Sequence, residues 1–262
     1  VIRLSRTLLG ALVAVCCTFV DAAPRAVRIG VTAGEESQIM SQVRDVAAKQ
    51  GLRLDIVVFE NPSHIDAALA GGSIDAASFE DEASLDARRR RDGYAIRSVA
   101  ATVTLPMAFY SRKLASLAQL TRGATIAIPD DAPGMARALI LLQNYAFVTL
   151  KDSAGLSPTV ADITSNRYGL LIRRVPRARL YAMLDTASFV AMNADDAAHA
   201  GLMPGRDSIG IEDARSPWQH VLTVRSGEAN APWVAQLVRA YHSGDVARFI
   251  LARYQDSVRR PW

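Results

Sequence analysis

VRIGVT (Val27–Thr32), LDIVVF (Leu54–Phe59) and IDAASF (Ile74–Phe79) are three short β-rich runs separated by helical patterns. Between the first two, Ile39, Val43, Val46 and Ala47 recur at helical spacing, so one face of the intervening helix is apolar. Gly51 stops that helix, Ser63 is placed to cap a second, shorter one, and Gly71-Gly72 ends it. This βαβαβ rhythm predicts a parallel sheet covered by helices, because parallel strands need long crossovers.

Working outward, a second unit of the same kind begins at TIAIP (Thr125–Pro129), followed by a tight loop and an Ala/Leu-rich helix over Gly134–Tyr145. Strands are expected at Leu170–Arg174, Phe189–Asn193 and His220–Val224. A final amphipathic helix, Ala231–Ser243, places Val234, Leu237, Val238 and Tyr241 on one face. The pattern predicts an α/β protein of two lobes, residues 25–106 plus 222–262 and residues 107–221. Hinge segments are expected near Thr102–Tyr110 and His220–Val224. A cleft between the lobes would bind its ligand beyond the carboxyl ends of the strands.

The chain has 262 residues, half of them hydrophobic, and a net charge of +4, which is modest for its size. Arg3 and Arg6 precede an apolar stretch (Leu8–Val20) and a small-residue exit at Asp21-Ala22-Ala23. That reads as a signal peptide over residues 1–22, cleaved after Ala22, and as export to the periplasm. Both cysteines, Cys16 and Cys17, fall inside it, so a mature chain would have no disulfide and no thiolate nucleophile. Lipid anchoring at either cysteine is poorly supported, because Val15 and Cys16 precede them rather than a small residue. The run Arg88–Arg91 is flanked by Asp86 and Asp92 and reads as a solvated helix end, not as a nucleic-acid footprint.

The chemistry of an enzyme is missing from the motifs. His64, His199, His220 and His242 have no metal-ligand spacing, and there is no GxSxG, Walker A or GxGxxG motif. No cofactor is implied. The carboxylates Glu80-Asp81-Glu82 and Asp195-Asp196 suit helix N-terminal turns, a cationic ligand group, or acid/base work. Arg137 is expected in the first turn of a helix, where a guanidinium and the helix end together favour an anion. An ordinary ion pair is the alternative there. Asn193, at a strand end, could present its amide to a zwitterion or cap the next helix.

Several segments, in order, carry a family resemblance: VRIGVTAGEE, LDIVVFENPSHIDAALAGGSIDA, LPMAFYSRKLASLAQLTRGATIAIPDD, LKDSAGLSPTVADI, AGLMPGRDSIGIED, SPWQHVLTVR and the closing PW. From about Val27 to Trp262 the chain resembles the methionine-binding lipoprotein family, the NlpA/MetQ-like substrate-binding proteins of ABC importers. The resemblance implies a two-lobed type II periplasmic binding-protein fold with a central cleft, acting as a monomer with a membrane permease and an ATPase. It also implies that Arg137 holds the ligand carboxylate, that Asn193 contacts the amino-acid head, and that Arg137→Ala abolishes binding with the fold intact. The aromatic wall expected around a methionine side chain is eroded. The family's tyrosine falls at Pro62, and of its FFQHxPY-like segment only Phe79 keeps an aromatic, with Asp81 and Ser84 at the histidine and tyrosine. The asparagine expected before Arg137 is Gly134, and a tyrosine after Asn193 is Asp196. An amino-acid-like ligand with a polar or cationic side chain is the expectation. Alternatives are a degenerate member acting through protein contacts, or an exported hydrolase using the acidic cluster.

Overall fold

In the computed structural model, residues 25–262 are described. The signal-peptide segment and both cysteines lie outside the described residues. The first unit runs β1 (Val27–Thr32), α1 (Glu35–Lys49), β2 (Leu54–Phe59), α2 (Ile65–Ala70), β3 (Ala76–Asp81), α3 (Glu82–Asp92) and β4 (Ile96–Ala101). Gly34 turns the chain from β1 into α1 at φ +92°, a backbone region that residues with a Cβ rarely adopt. Glu35 and Glu36 then occupy the first turn, where negative charge opposes the helix dipole, and Lys49 occupies the last. Asn61, rather than Ser63, is the cap at the next helical turn: its side chain accepts the Ser63 N–H at 3.0 Å, which sets Pro62 at the start of that turn.

The second unit runs β5 (Ala108–Tyr110), β6 (Thr125–Pro129), α4 (Ala132–Asn144), β7 (Val148–Leu150), β8 (Ile163–Asn166), β9 (Leu171–Val175), β10 (Phe189–Met192), α5 (Ala194–His199), α6 (Pro204–Asp207) and β11 (Ser208–Ile211). The chain then returns to the first unit with β12 (His220–Arg225), α7 (Pro232–Tyr241) and α8 (Gly244–Tyr254).

Two five-stranded sheets result, in the orders β2-β1-β3-β12-β4 and β11-β5-β10-β6-β9. Neither is purely parallel. The expected parallel cores β2-β1-β3 and β10-β6-β9 are present, but β12 runs antiparallel between β3 and β4, and β5 runs antiparallel to both β10 and β11. The segment expected as a second hinge, His220–Val224, is therefore an inner strand of the first sheet. The crossings between sheets are residues 102–107 and 212–219.

Each sheet has buried clusters on both faces. In the first, Ile29, Val43, Leu222 and Leu237 pack with α1, α7 and α8, while Ile65, Leu69, Leu85 and Ile96 pack under α2 and α3. In the second, Ile126, Leu139 and Phe189 pack under α4, and Ala127, Leu184 and Val190 fill the other side. At the amino ends of the first parallel strands, Asp75 accepts hydrogen bonds from Arg28, Arg225 and Arg25. Burial opposes ionisation there, but these donors outweigh it and hold its pKa at about 2. The carboxyl ends of the same strands open onto the cleft.

Candidate ligand-binding cleft

Carboxyl ends of strands from both sheets meet around a cavity of about 640 Å³. Thr32 ends β1, Phe79 to Asp81 end β3, Asn193 follows β10, and Arg177 follows β9 by two residues. A second compartment of about 550 Å³ shares Asp81, Ser84, Arg137, Arg177 and Asn193 with the first. Of the residues singled out in the sequence, Pro62, Phe79, Asp81, Ser84, Arg137 and Asn193 line the first compartment, and Gly134 lines the second. Asp196 stands on the far side of Arg177, 2.9 Å from its Nε, in a separate surface pocket. It reaches the cleft only through that guanidinium.

The geometry alters several expectations. Helix α4 begins at Ala132, so Arg137 lies in its second turn. The helix end is already closed by Asp131, whose Oδ1 accepts the Gly134 N–H at 2.9 Å. Arg137 is in an ion pair, but a buried one on the cleft wall. Its Nε donates to both carboxylate oxygens of Glu212 at 3.1 Å, its Nη2 donates to Glu212 and to the Leu105 carbonyl at 2.8 Å, and it lies over the Trp218 ring. Glu212, only 1% exposed, also accepts the Met107 N–H. Nη1 is left without a hydrogen-bond partner among the described residues. Removing Arg137 would strand Glu212, so Arg137→Ala cannot separate binding from folding.

Asn193 is the N-cap residue of α5, yet its side chain makes no cap hydrogen bond, and its Oδ1 is buried without a partner. A buried amide acceptor left open costs free energy unless something donates to it. Gly134 has a local reason: a Cβ there would stand 2.7 Å from Pro129 Cβ and 2.8 Å from Asp131 Oδ2. The capping loop thus leaves no room for a larger residue.

Glu80 and Asp81 close β3, and Asp81 and Glu82 open the helix that follows, as expected of a helix N-terminal turn. Asp81 caps α3, accepting the Ser84 N–H at 3.0 Å and the Ser84 hydroxyl at 2.9 Å, which turns Ser84 toward its cap. Glu80 is buried in the cavity wall. The arginine run is split. Arg89 and Arg91 pair with Asp86 and Asp92 at the helix surface, as expected of a solvated end. Arg88 instead turns into the cavity, with Nε 3.1 Å from Glu80 Oε2 and its guanidinium over the Phe79 ring.

Sequence reasoning did not find Arg88, Arg177, Glu36 or His220 as cavity residues. Glu36, in the first turn of α1, accepts the Ser78 hydroxyl at 3.2 Å and lies 2.6 Å from His220 Nδ1. Arg177 alone carried a usable signal, since it follows directly on the end of a parallel strand. In all, five carboxylates (Glu35, Glu36, Glu80, Asp81, Asp195) and three arginines line the main compartment. Such a mixed, concave site can grip a small zwitterion and compensate a positive group beside it.

Two lobes facing each other across a polar cavity have the architecture of a solute-binding protein. Residues 27–262 match the NlpA lipoprotein family. The chain is 34% identical over 242 residues to the D-methionine-binding lipoprotein MetQ of Escherichia coli K12, covering 91% of this chain and 89% of that one. It is similar to a periplasmic substrate-binding protein of an ABC transporter from Coxiella burnetii (TM-score 0.72, 36% identity, 89% of this chain and 99% of that one). It is also similar to a nutrient-binding protein from Burkholderia cenocepacia bound to methionine (TM-score 0.71, 34% identity, 90% of this chain and 100% of that one). This chain belongs to the NlpA lipoprotein family. With that membership go the two-lobed periplasmic binding-protein fold and the role of an ABC-transporter substrate-binding protein, not an enzyme. Among the described residues, no helix is long and apolar enough to cross a membrane.

Proposed function

We propose that the cleft captures an amino-acid-like molecule bearing a polar or cationic side chain and that the protein delivers it to the permease and ATPase of an importer. The ligand carboxylate would meet Arg137 Nη1, and the ligand ammonium group would donate to Asn193 Oδ1, on one wall. Its side chain would then point toward Phe79, Glu80, Asp81 and Ser84 on the other. The lobes would close about the crossings at residues 102–107 and 212–219, with the protein acting as a monomer. The observation that carries this reading is Asn193 Oδ1, buried and unpartnered on a cavity lined by five carboxylates and three arginines. The Escherichia coli relative is named for D-methionine and the Burkholderia structure holds methionine, which supports an amino-acid head group. Few aromatic residues line this cavity, Phe79 being one, which favours a side chain more polar than a thioether.

Native mass spectrometry of protein purified from its host, followed by thermal melting with the D- and L-amino acids, tests the reading. A ligand that binds only the native state must raise Tm. The expected result is a rise with polar or basic amino acids larger than with methionine. A rise with methionine alone would refute the side-chain assignment, and no rise with any amino acid would refute the head-group assignment.

A further inference from the structure

Behind the Phe79 wall, two carboxyl groups from different elements are buried together. Glu80 on β3 is 5% exposed and lines the cavity, and Asp66 on α2, behind it, is 1% exposed. None of their four carboxylate oxygens accepts a hydrogen bond from any other residue among the described residues, and the two carboxyl groups stand within reach of each other. Arg88 from α3 lies beside both, its Nη1 3.6 Å from Asp66 Oδ2 and its Nε 3.1 Å from Glu80 Oε2, but outside hydrogen-bond geometry. One guanidinium therefore faces two buried acids. Nearby charges do not make up the difference. Asp81 is the next strand residue, Arg91 and Asp92 end α3, and on β12 His220 is already engaged by Glu36. Burial, reinforced by the Asp66 charge, pushes Glu80 up to about 8, and burial raises Asp66 as well. Near neutrality the pair holds one proton between them.

We infer that the Asp66–Glu80 pair is the seat for the cationic end of a basic amino acid, an ammonium or guanidinium brought in over Phe79 and Arg88. The ligand's charge takes the place of the shared proton, which leaves to solvent. Before binding the cluster holds two acids, one proton and Arg88. Afterwards it holds two carboxylates, Arg88 and the ligand cation, so its charge is conserved. A neutral amino acid has nothing to exchange. This inference rests on the amino-acid reading of the cleft and adds to it the ligand's side-chain class.

Isothermal titration near pH 6.5 in phosphate and in Tris, with L- and D-arginine, lysine, glutamine and methionine, reads the exchange directly from the dependence of heat on buffer ionisation. Arginine or lysine is expected to release about one proton per molecule bound, and glutamine and methionine close to none. Glu80→Gln should abolish the release and weaken the basic ligand at least roughly tenfold. If that variant does not fold, Asp66→Asn serves. It leaves one carboxylate opposite Arg88, and release should again vanish. Basic ligands that bind without proton release, or unchanged by Glu80→Gln, overturn the inference. So does binding confined to neutral amino acids, in which case the amino-acid reading stands. If no amino acid binds, both fall.

Discussion

Truncating Arg137 should unfold this protein as readily as it blinds it. The guanidinium holds Glu212 through Nε and Nη2, Glu212 is 1% exposed, and the same guanidinium satisfies the Leu105 carbonyl at the crossing between sheets. Deleting one partner of a buried pair leaves a charge without compensation, which costs about 3–5 kcal/mol. Arg137→Ala also leaves the Leu105 carbonyl short of its donor, at about 1 kcal/mol. Arg137→Met combined with Glu212→Gln removes both charges and keeps an acceptor for the Met107 N–H, so it should recover at least about 2 kcal/mol of that loss. Urea unfolding followed by tryptophan fluorescence measures both, and Trp218 beneath Arg137 is a local reporter. If Arg137→Ala loses less than about 1 kcal/mol, or the double variant is no more stable than the single, the pair does not hold the wall together.

Glu80 makes folding depend on pH in an uncommon direction. With its folded pKa near 8, above the ordinary 4.5, the native state binds the extra proton between those values. Stability should therefore be fullest below about pH 4.5 as far as this group is concerned and decline by up to roughly 3–5 kcal/mol on approaching pH 8. Glu80→Gln should flatten that decline in ligand-free melting curves, and an equal slope in both proteins would count against the burial argument. At Gly134 the gain in helix propensity from alanine, about 1 kcal/mol, competes with Cβ contacts of 2.7 and 2.8 Å. Overpacking of that kind costs about 1–3 kcal/mol, so Gly134→Ala should lower Tm, and a rise would show that the capping loop yields.

Hydrophobic patterning carried the parallel cores of both sheets, because β1, β3, β6 and β10 are buried along nearly their whole length, and β2, though partly exposed at the sheet edge, is itself a largely apolar run. Helix α3 escaped it. Leu85 is its one buried residue among the run of arginines and acids, so no apolar stripe marks it. The β7–β8 hairpin and the short strands β5 and β11 are only three or four residues long, too short for a period to show. At the site, the strand-end rule and the family likeness together reached Phe79, Asp81, Ser84, Pro62, Arg137 and Asn193, which line one cavity.

What the chain sequence determined by itself is local and periodic: which segments are strands, where they end, and which polar residues stand at those ends. Charge pairing was decided only by the tertiary structure. Glu36 and His220 are 184 residues apart, and Arg137 and Glu212 are 75 apart. No spacing announces such pairs, because their meeting depends on β12 returning between β3 and β4 and on the crossings between sheets. Packing between elements likewise explains Arg88. Its charge run marks a solvated helix end, and one residue of it is drawn inward because two buried acids lie where the fold has brought α2 against β3.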